Sequence, residues 1–399
     1  MVRQRQRAAS RAAAIGAAVM LVGLPLVAVA APRDDPQQLP LGDPARRERI
    51  ARVVLDGITD TASGEVIDRG ELARRLATAR VLFIGEEHTN GECHRVQLHV
   101  IDALRAAGRT VVVALEMFPY SVIEPLRDWS AGKLSEQEFL QRANWYEHWS
   151  HHWGYYRDIF LYAREHGLRL VGINAPRAVV RQVRSRGFDS LDAATRERLP
   201  PTIDTSSKEH RRLVRSYFEA DDPLHAKMSP EQLEGLYLAQ VTWDAVMGWN
   251  AAQALSTPYD PREIVVVLIG AGHVAYGLGA ERQLAPHFSG RIASLIPVTV
   301  RDDDGRPVAG VRASYANYIW GVPRTAQPTL PVLGVSLLGR VGPEPTTVIQ
   351  IDKRSPAERA GLKVGDVLRS IDGAPIDGTP ALQRRIAEYA WGDAERIAL

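Results

Sequence analysis

The sequence predicts an α/β protein: a mostly parallel sheet flanked by helices, followed by a small C-terminal β-rich module. Three observations predict it. Four short, mainly apolar runs, residues 81–84, 110–115, 168–173 and 264–269, each have a polar residue just past their carboxyl ends. Such runs suit strands buried on both faces of a parallel sheet. Helical patterns separate them, as crossover connections require. A Pro-rich break at residues 322–331 then divides off the C-terminal module.

The rim of that sheet is where chemistry is expected, because ligands of parallel sheets sit beyond the carboxyl ends of the strands. The first run leads into Gly85-Glu86-Glu87-His88, the second into Glu116, the third into Asn174 and the fourth into Gly270-Ala271-Gly272-His273. Glu86, Glu87, His88, Glu116, Asn174 and His273 therefore gather on one edge. Only one of the neighbours Glu86 and Glu87 can point inward from an extended segment, and Glu87 is taken as that one with Glu86 as its alternate. A carboxylate pair with two imidazoles suits a divalent ion, with one carboxylate left to act as a base, so Glu86 or Glu87, His88, Glu116 and His273 form the candidate metal set. The bland alternative for each is a loop residue facing water.

The chain of 399 residues is long enough for two or three domains. Its 45% hydrophobic and 24% charged composition is that of a globular protein, and a net charge of +2 with no basic block gives no reason to expect nucleic acid. Residues 1–31 read as a signal peptide. Arg3, Arg5, Arg7 and Arg11 precede an apolar run, and Ala28-Val29-Ala30 offers a small-x-small cleavage site, so export to the periplasm or secretion is expected. The rival is an uncleaved membrane anchor, since the run approaches spanning length; Pro25 and the Ala-rich composition favour cleavage. The single cysteine, Cys93, excludes an internal disulfide and lipidation at the cleavage site.

Residues 32–49 read as a linker and 50–321 as the α/β domain, which opens on a small helix-and-hairpin preamble. A helix follows Thr89-Asn90-Gly91, with Val96, Leu98, Val100, Ile101 and Leu104 as its apolar side. Between the second and third strands, residues 144–157 hold three of the eight tryptophans with three histidines and three tyrosines. This composition can line a slot for a flat apolar ligand, or can be a lid packed on the core. Residues 204–250 read as helices, with Gln240, Asp244 and Met247 on one face. A buried Asp244 needs a partner, for which His273 or Arg177 could serve. Gly270-Ala271-Gly272-His273 is only a weak dinucleotide-loop match; its glycines more readily let the backbone turn beneath a ligand. Residues 295–300 and 313–320 read as final strands or tails.

Residues 50–320 resemble the ChaN-like haem-binding family, part of a superfamily with TraB/Tiki-type proteins and erythromycin-esterase-like enzymes. The resemblance rests on Gly85-Glu86-Glu87-His88 with His94 and Gln97, on Ala114-Leu115-Glu116-Met117-Phe118, on Asn174-Ala175-Pro176-Arg177, on Gln240 with Asp244 and Met247, and on Gly270-Ala271-Gly272-His273-Val274. Where the family continues into a Gly-Ile-Pro element, this chain has Tyr276-Gly277-Leu278-Gly279-Ala280-Glu281. The resemblance implies haem binding linked to iron uptake, with an oxygen or nitrogen ligand near a subunit interface and hence a homodimer. The superfamily also implies a Glu-x-His rim that holds a divalent metal and activates water. Candidate ligand-binding residues are then His88, His94, Gln97, Glu116, Asn174, Asp244 and His273, together with His148, His151, His152, Tyr155 and Tyr156 from the aromatic segment. Haem needs an apolar slot and a lone-pair donor. A tyrosinate suits ferric iron in a carrier, which puts Tyr155 and Tyr156 ahead of the histidines.

Residues 332–399 resemble a PDZ domain of the bacterial periplasmic type. Leu333-Gly334-Val335 matches the carboxylate-binding loop, Val348-Ile349-Gln350-Ile351 the next strand, and residues 355–368 with Ile371-Asp372-Gly373 the helix and turn beyond. The resemblance implies binding of free peptide C-termini of other exported proteins, through Leu333, Gly334, Val335 and Leu337. A complete domain needs a strand after Leu399, so this module is expected to be cut short or open-edged. Three functions follow: an exported haem-binding protein with a peptide-recruiting module, a metal-dependent hydrolase, or a scaffold with a catalytically dead first domain.

Overall fold

The computed structural model describes residues 35–218, 228–256, 260–302, 304–325, 330–338, 346–353 and 355–389. Residues 1–31, where a signal peptide is expected, part of the 322–331 linker and the last ten residues lie outside the described residues. Among the described residues no helix is long and apolar enough to cross a membrane.

Among the described residues ten strands belong to the first domain: β1 (Ile50–Arg52), β2 (Ile58–Asp60), β3 (Val66–Ile67), β4 (Ala79–Glu86), β5 (Thr110–Pro119), β6 (Arg169–Asn174), β7 (Glu263–Gly270), β8 (Arg291–Thr299), β9 (Gly310–Arg312) and β10 (Tyr318–Val322). Eight of them form one sheet in the order β3-β2-β10-β8-β4-β7-β5-β6. From β10 to β6 every neighbouring pair is parallel, and β2 and β3 add an antiparallel edge. The last strand to arrive in this half, β7, slots between β4 and β5. The carboxyl ends of β4, β7 and β5 therefore sit side by side, at a point where the strand order reverses.

The four apolar runs are strands because both of their faces are covered. Leu82, Ile84, Val113, Leu115, Val266 and Leu268 pack on one side with the helix Gly91–Ala106 and the aromatic segment. Val81, Phe83, Val112, Ala114, Val265 and Val267 pack on the other, with the long helix Pro230–Gln253. Of the two readings of residues 295–300 and 313–320, final strands is the one found: β8 and β10 extend the sheet beyond β4. The linker expected at 32–49 is corrected, since its described part, residues 35–49, is not bare. Leu39 and Leu41 are buried in the second core cluster, and the Tyr276 hydroxyl donates to the Pro36 carbonyl at 2.7 Å.

The C-terminal module has its own small core of Leu333, Val348, Leu368, Ile371, Leu382 and Ile386. Its sheet runs β11 (Val335–Leu338), β12 (Thr346–Ile351), β13 (Val367–Leu368), with a hairpin of β14 (Ser370–Ile371) and β15 (Ala374–Pro375). The helix Gly378–Ile386 packs against them. Gly334 has φ +74° where the chain enters β11, and a Cβ there would overlap Ser355, so only glycine suits this loop.

At the opposite edge of the main sheet, the Arg109 guanidinium donates to the carbonyls of Leu76, Ala77, Ala79, Arg262 and Glu263, tying the starts of β4 and β7 together. Arg109→Ala should lower the unfolding free energy by about 2 kcal/mol, because a charged donor is removed and several carbonyls lose a partner. Equilibrium urea unfolding measures it; a loss as small as that of the surface variant Arg95→Ala would show the clamp to be idle.

Candidate functional site

At the end of β4, alternation sends Leu82, Ile84 and then Glu86 to the same side of the sheet. Glu86 is buried there and receives hydrogen bonds from three side chains. His88 Nδ1 donates at 2.9 Å, the Tyr156 hydroxyl at 2.6 Å and Gln97 Nε2 at 2.5 Å. Behind it the two nitrogens of His94 each lie 3.1 Å from a carbonyl oxygen, that of Gln97 and that of the His88 backbone. Burial alone would raise the Glu86 carboxyl. The His94 ring, His88 and Tyr156 outweigh burial and hold it down at about 2. The Tyr156 phenol moves the other way, well above its usual range, through burial and the Glu86 charge beside it.

On β5 the opposite parity sends Glu116 to the face covered by the helix Pro230–Gln253. Glu116 accepts from the Gly270 N–H at 2.6 Å and faces His273 Nε2 at 3.4 Å. His273 Nδ1 donates to Asp244 at 2.6 Å, and the second oxygen of Asp244 faces His210 Nε2 at 3.2 Å. Gln240, one turn before Asp244, brings its amide within 2.9 Å of the same His273 nitrogen. Burial disfavours a charge on His273, but Glu116 and Asp244 override it and raise its pKa to about 10. Gly279 permits this packing, since a Cβ there would overlap the His273 carbonyl.

The two halves meet over Gly270, the last residue of β7. A Cβ on Gly270 would lie 3.0 Å from His88 Cε1 and 3.6 Å from Glu116 Oε2. The rim is thus a line of alternating carboxylates and imidazoles: Glu86, His88, Glu116, His273, Asp244, His210. Burial opposes a proton on His88, while Glu86 and Glu116 raise its affinity for one.

The aromatic segment covers this line. Trp149 and His151 each place their ring 4.8 Å from that of His88. His151 is pushed down to about 3, by burial and then by the neighbouring His88, so it is a neutral imidazole at physiological pH. His148 packs on Phe118, and His152 Nδ1 accepts from the Gly154 N–H at 2.9 Å. Beyond His151 lies a cleft of about 1260 Å³, bordered by His151, His152, Tyr146 and Tyr155 on one side and by the loop and strand at residues 333–337 on the other.

The structure brings His88, Glu116 and His273 together, as the sequence expects. The inward carboxylate is Glu86. Glu87 is turned outward, exposed, and accepts from Asn90 at 3.1 Å, because strand alternation puts it on the far side of the chain. Asn174 stands at the edge of the site and braces it, donating to the Glu116 carbonyl at 2.8 Å. Arg177 is not the partner of Asp244; it donates to the His148 carbonyl at 2.7 Å. The other partner is His210, which the sequence reading missed. The divalent-metal expectation finds no support: among the described residues, no group of three or more His, Cys, Asp and Glu side chains is arranged to hold an ion. His88, Glu86, Glu116, His273 and Asp244 are engaged with one another instead. Tyr156, given to Glu86 and held protonated, is not placed to serve as a tyrosinate.

This fold and rim define a class. The family model described as haem-binding uptake, Tiki superfamily, ChaN matches residues 72–284, and a PDZ domain model matches residues 347–389. The chain belongs to the ChaN haem-binding uptake family and carries a PDZ domain. Among solved structures it is similar to ChaN of Campylobacter jejuni, described with cofacial haem binding, at 18% identity and a TM-score of 0.51, over 66% of this chain and 95% of that one. An erythromycin esterase mutant in its open conformation matches at 12% identity and a TM-score of 0.40, over 70% of this chain and 98% of that one. A curated relative, chloroplastic protein RETICULATA-RELATED 5 of Arabidopsis thaliana, is 27% identical over 225 residues, 53% of this chain. The chain spans only 29% of that relative's length.

The charged line predicts a pH dependence with two signs. His273 has a raised pKa, so its contribution is full below the ordinary histidine value near 6.5 and is lost as pH climbs through about 10. Glu86 has a depressed pKa, so its contribution is full above the ordinary value of 4.5 and is lost as pH falls towards about 2. Stability should be greatest between these windows. Urea unfolding of the parent and of His273→Gln across pH 5–10 tests it: the gap between the two proteins should narrow as pH rises. A gap that stays constant to pH 10 would contradict the ion pairing described.

Proposed function

We propose that the chain is an exported haem-binding protein serving haem and iron acquisition, with His151 as the donor to iron. The observation that carries this reading is a neutral imidazole beside a cleft with aromatic walls. The residues present fit the group. His151 keeps a lone pair, Tyr146 and Tyr155 offer apolar faces, and Arg301, Arg324, Lys353 and Arg359 border the same cleft and suit the propionates. Bound haem would supply a ferric iron that accepts a lone pair from the protein. His273, raised to about 10, has no free lone pair at neutral pH, and Tyr156 is engaged with Glu86. Family membership and the likeness to a haem-binding fold support the same reading. Export rests on the charged and apolar pattern of residues 1–31. The partners in keeping with it are a second copy of the chain and the C-termini of exported proteins.

A second reading has its own observation. Glu86 and His88 face Glu116 and His273 in a buried row with pKa values pushed far apart, an arrangement suited to general acid–base catalysis. Haemin titration separates the two. The parent should develop a Soret band at one haem per site, His151→Ala should weaken binding by at least about tenfold, or about 1.4 kcal/mol, and Tyr155→Phe should bind as the parent does. Equal haemin affinity in the parent and His151→Ala would remove His151 from the iron, and no Soret band in any of them would leave the acid–base reading standing. Export is checked by intact mass of material recovered outside the cytoplasm; a chain still beginning at Met1 would contradict cleavage.

A further inference from the structure

The C-terminal module leaves one strand side open. Among the described residues β11 pairs with β12 alone, so its other row of backbone N–H and C=O groups is available to a partner. Val335 and Leu337 on β11, with Leu382 and Ile386 on the helix opposite, give the adjoining cleft an apolar floor. An extended peptide can add to such an edge and bury its last side chain there.

The module does not supply the opposite wall. His151, His152 and Tyr155, which border the same cleft, belong to the first domain. The junction between the domains is packed. Leu330 rests on Gly154, Ala387 packs against the aromatic core, and Arg384 faces Glu147 at 3.5 Å. Among the described residues the charge at the cleft is mostly positive: Arg301, Arg324, Lys353 and Arg359 border it together with Glu87 and Asp352. Its volume of about 1260 Å³ exceeds the roughly 300–1,000 Å³ of an ordinary small-molecule pocket.

We propose that the cleft is a composite peptide site, in which a free C-terminus with acidic residues upstream lies on β11 and is clasped by His151, His152 and Tyr155 of the first domain. Such a peptide excludes haem from His151, because both anionic occupants use the same cations and the same wall. This exclusion rests on the haem reading above; the composite site does not.

The test uses the full chain and fluorescent octapeptides with a free C-terminal leucine, one series carrying two glutamates upstream and the other two lysines, each with an amidated twin. The free, acidic series should bind most tightly. Hydrogen exchange with that peptide bound should slow at residues 333–338 and also at 146–155. Protection confined to the C-terminal module would overturn the proposal, as would a failure of every free peptide to bind. The double variant His152→Ala with Tyr155→Phe should bind the peptide about fivefold more weakly; unchanged affinity in a folded variant would overturn it too. Because the two occupants compete, haemin at about four times its own Kd should raise the apparent peptide Kd about fivefold, and more haemin should raise it further. A Soret band without that rise would overturn the exclusion alone, whereas no Soret band would sink the haem reading and leave the exchange experiment to decide the composite site.

Discussion

The buried carboxylate of Glu86 is the interaction on which the rim depends. It is the point where the strand β4, the helix Gly91–Ala106 and the aromatic segment converge, through His88, Gln97 and Tyr156. A buried charge is stable only when its neighbours supply the hydrogen bonds that water would have made. Here those donors come from three different stretches of chain. The electrostatic need of one side chain therefore fixes the lid over the sheet edge. Replacing Glu86 by an apolar side chain would leave three donors without their acceptor, and a cost of that kind falls on position as well as on stability.

The second half of the rim obeys the same rule with the signs reversed. His273 is the buried cation, held by Glu116 on one nitrogen and Asp244 on the other. Asp244 in turn lies between His273 and His210. Such an array is self-contained: each carboxylate faces an imidazole, and little charge is left over for an outside ion to neutralise. The absence of a grouped ion-binding set among the described residues follows from this pairing. Coupled groups of this sort also titrate together, so a single variant in the row will shift its neighbours.

Much of this was legible because period-two burial and strand-end chemistry are local. The unbroken runs at 81–84, 110–115 and 264–269 announced buried strands, and Gly85-Glu86-Glu87-His88 announced a rim. Even the choice between Glu86 and Glu87 was visible as an either-or, but which of them turns inward depends on the register of β4 against β7, where Glu86 pairs with Gly270, 184 residues further along the chain. His210 was illegible for a related reason. It sits on a different helix from Asp244, and nothing in a polar amphipathic stretch marks one histidine as fully buried. Tyr156 was read as a ligand because its ring and hydroxyl suit iron; only the fold shows that its hydroxyl is already given away. Leu39 and Leu41 were hidden in a Pro-rich stretch whose composition reads as linker, although two leucines suffice to pin it to the core.

The aromatic segment reconciles two demands that would otherwise conflict. A row of buried charges needs cover from water, whereas a ligand site needs a surface that can be reached. Trp149 and Tyr156 provide the cover on the inner side, packing on His88 and Glu86. His151 is the turning point: one side of its ring meets His88, and the residue also borders the cleft. Burial is the main reason that His151 stays neutral; the nearby His88 adds to it, while Glu86 and Glu116 oppose both. The lone pair at the cleft therefore depends first on the cover over the ring, to which Trp149 contributes at 5.1 Å between ring centroids. The same packing that shields the charged row from water thus leaves an uncharged imidazole at the cleft.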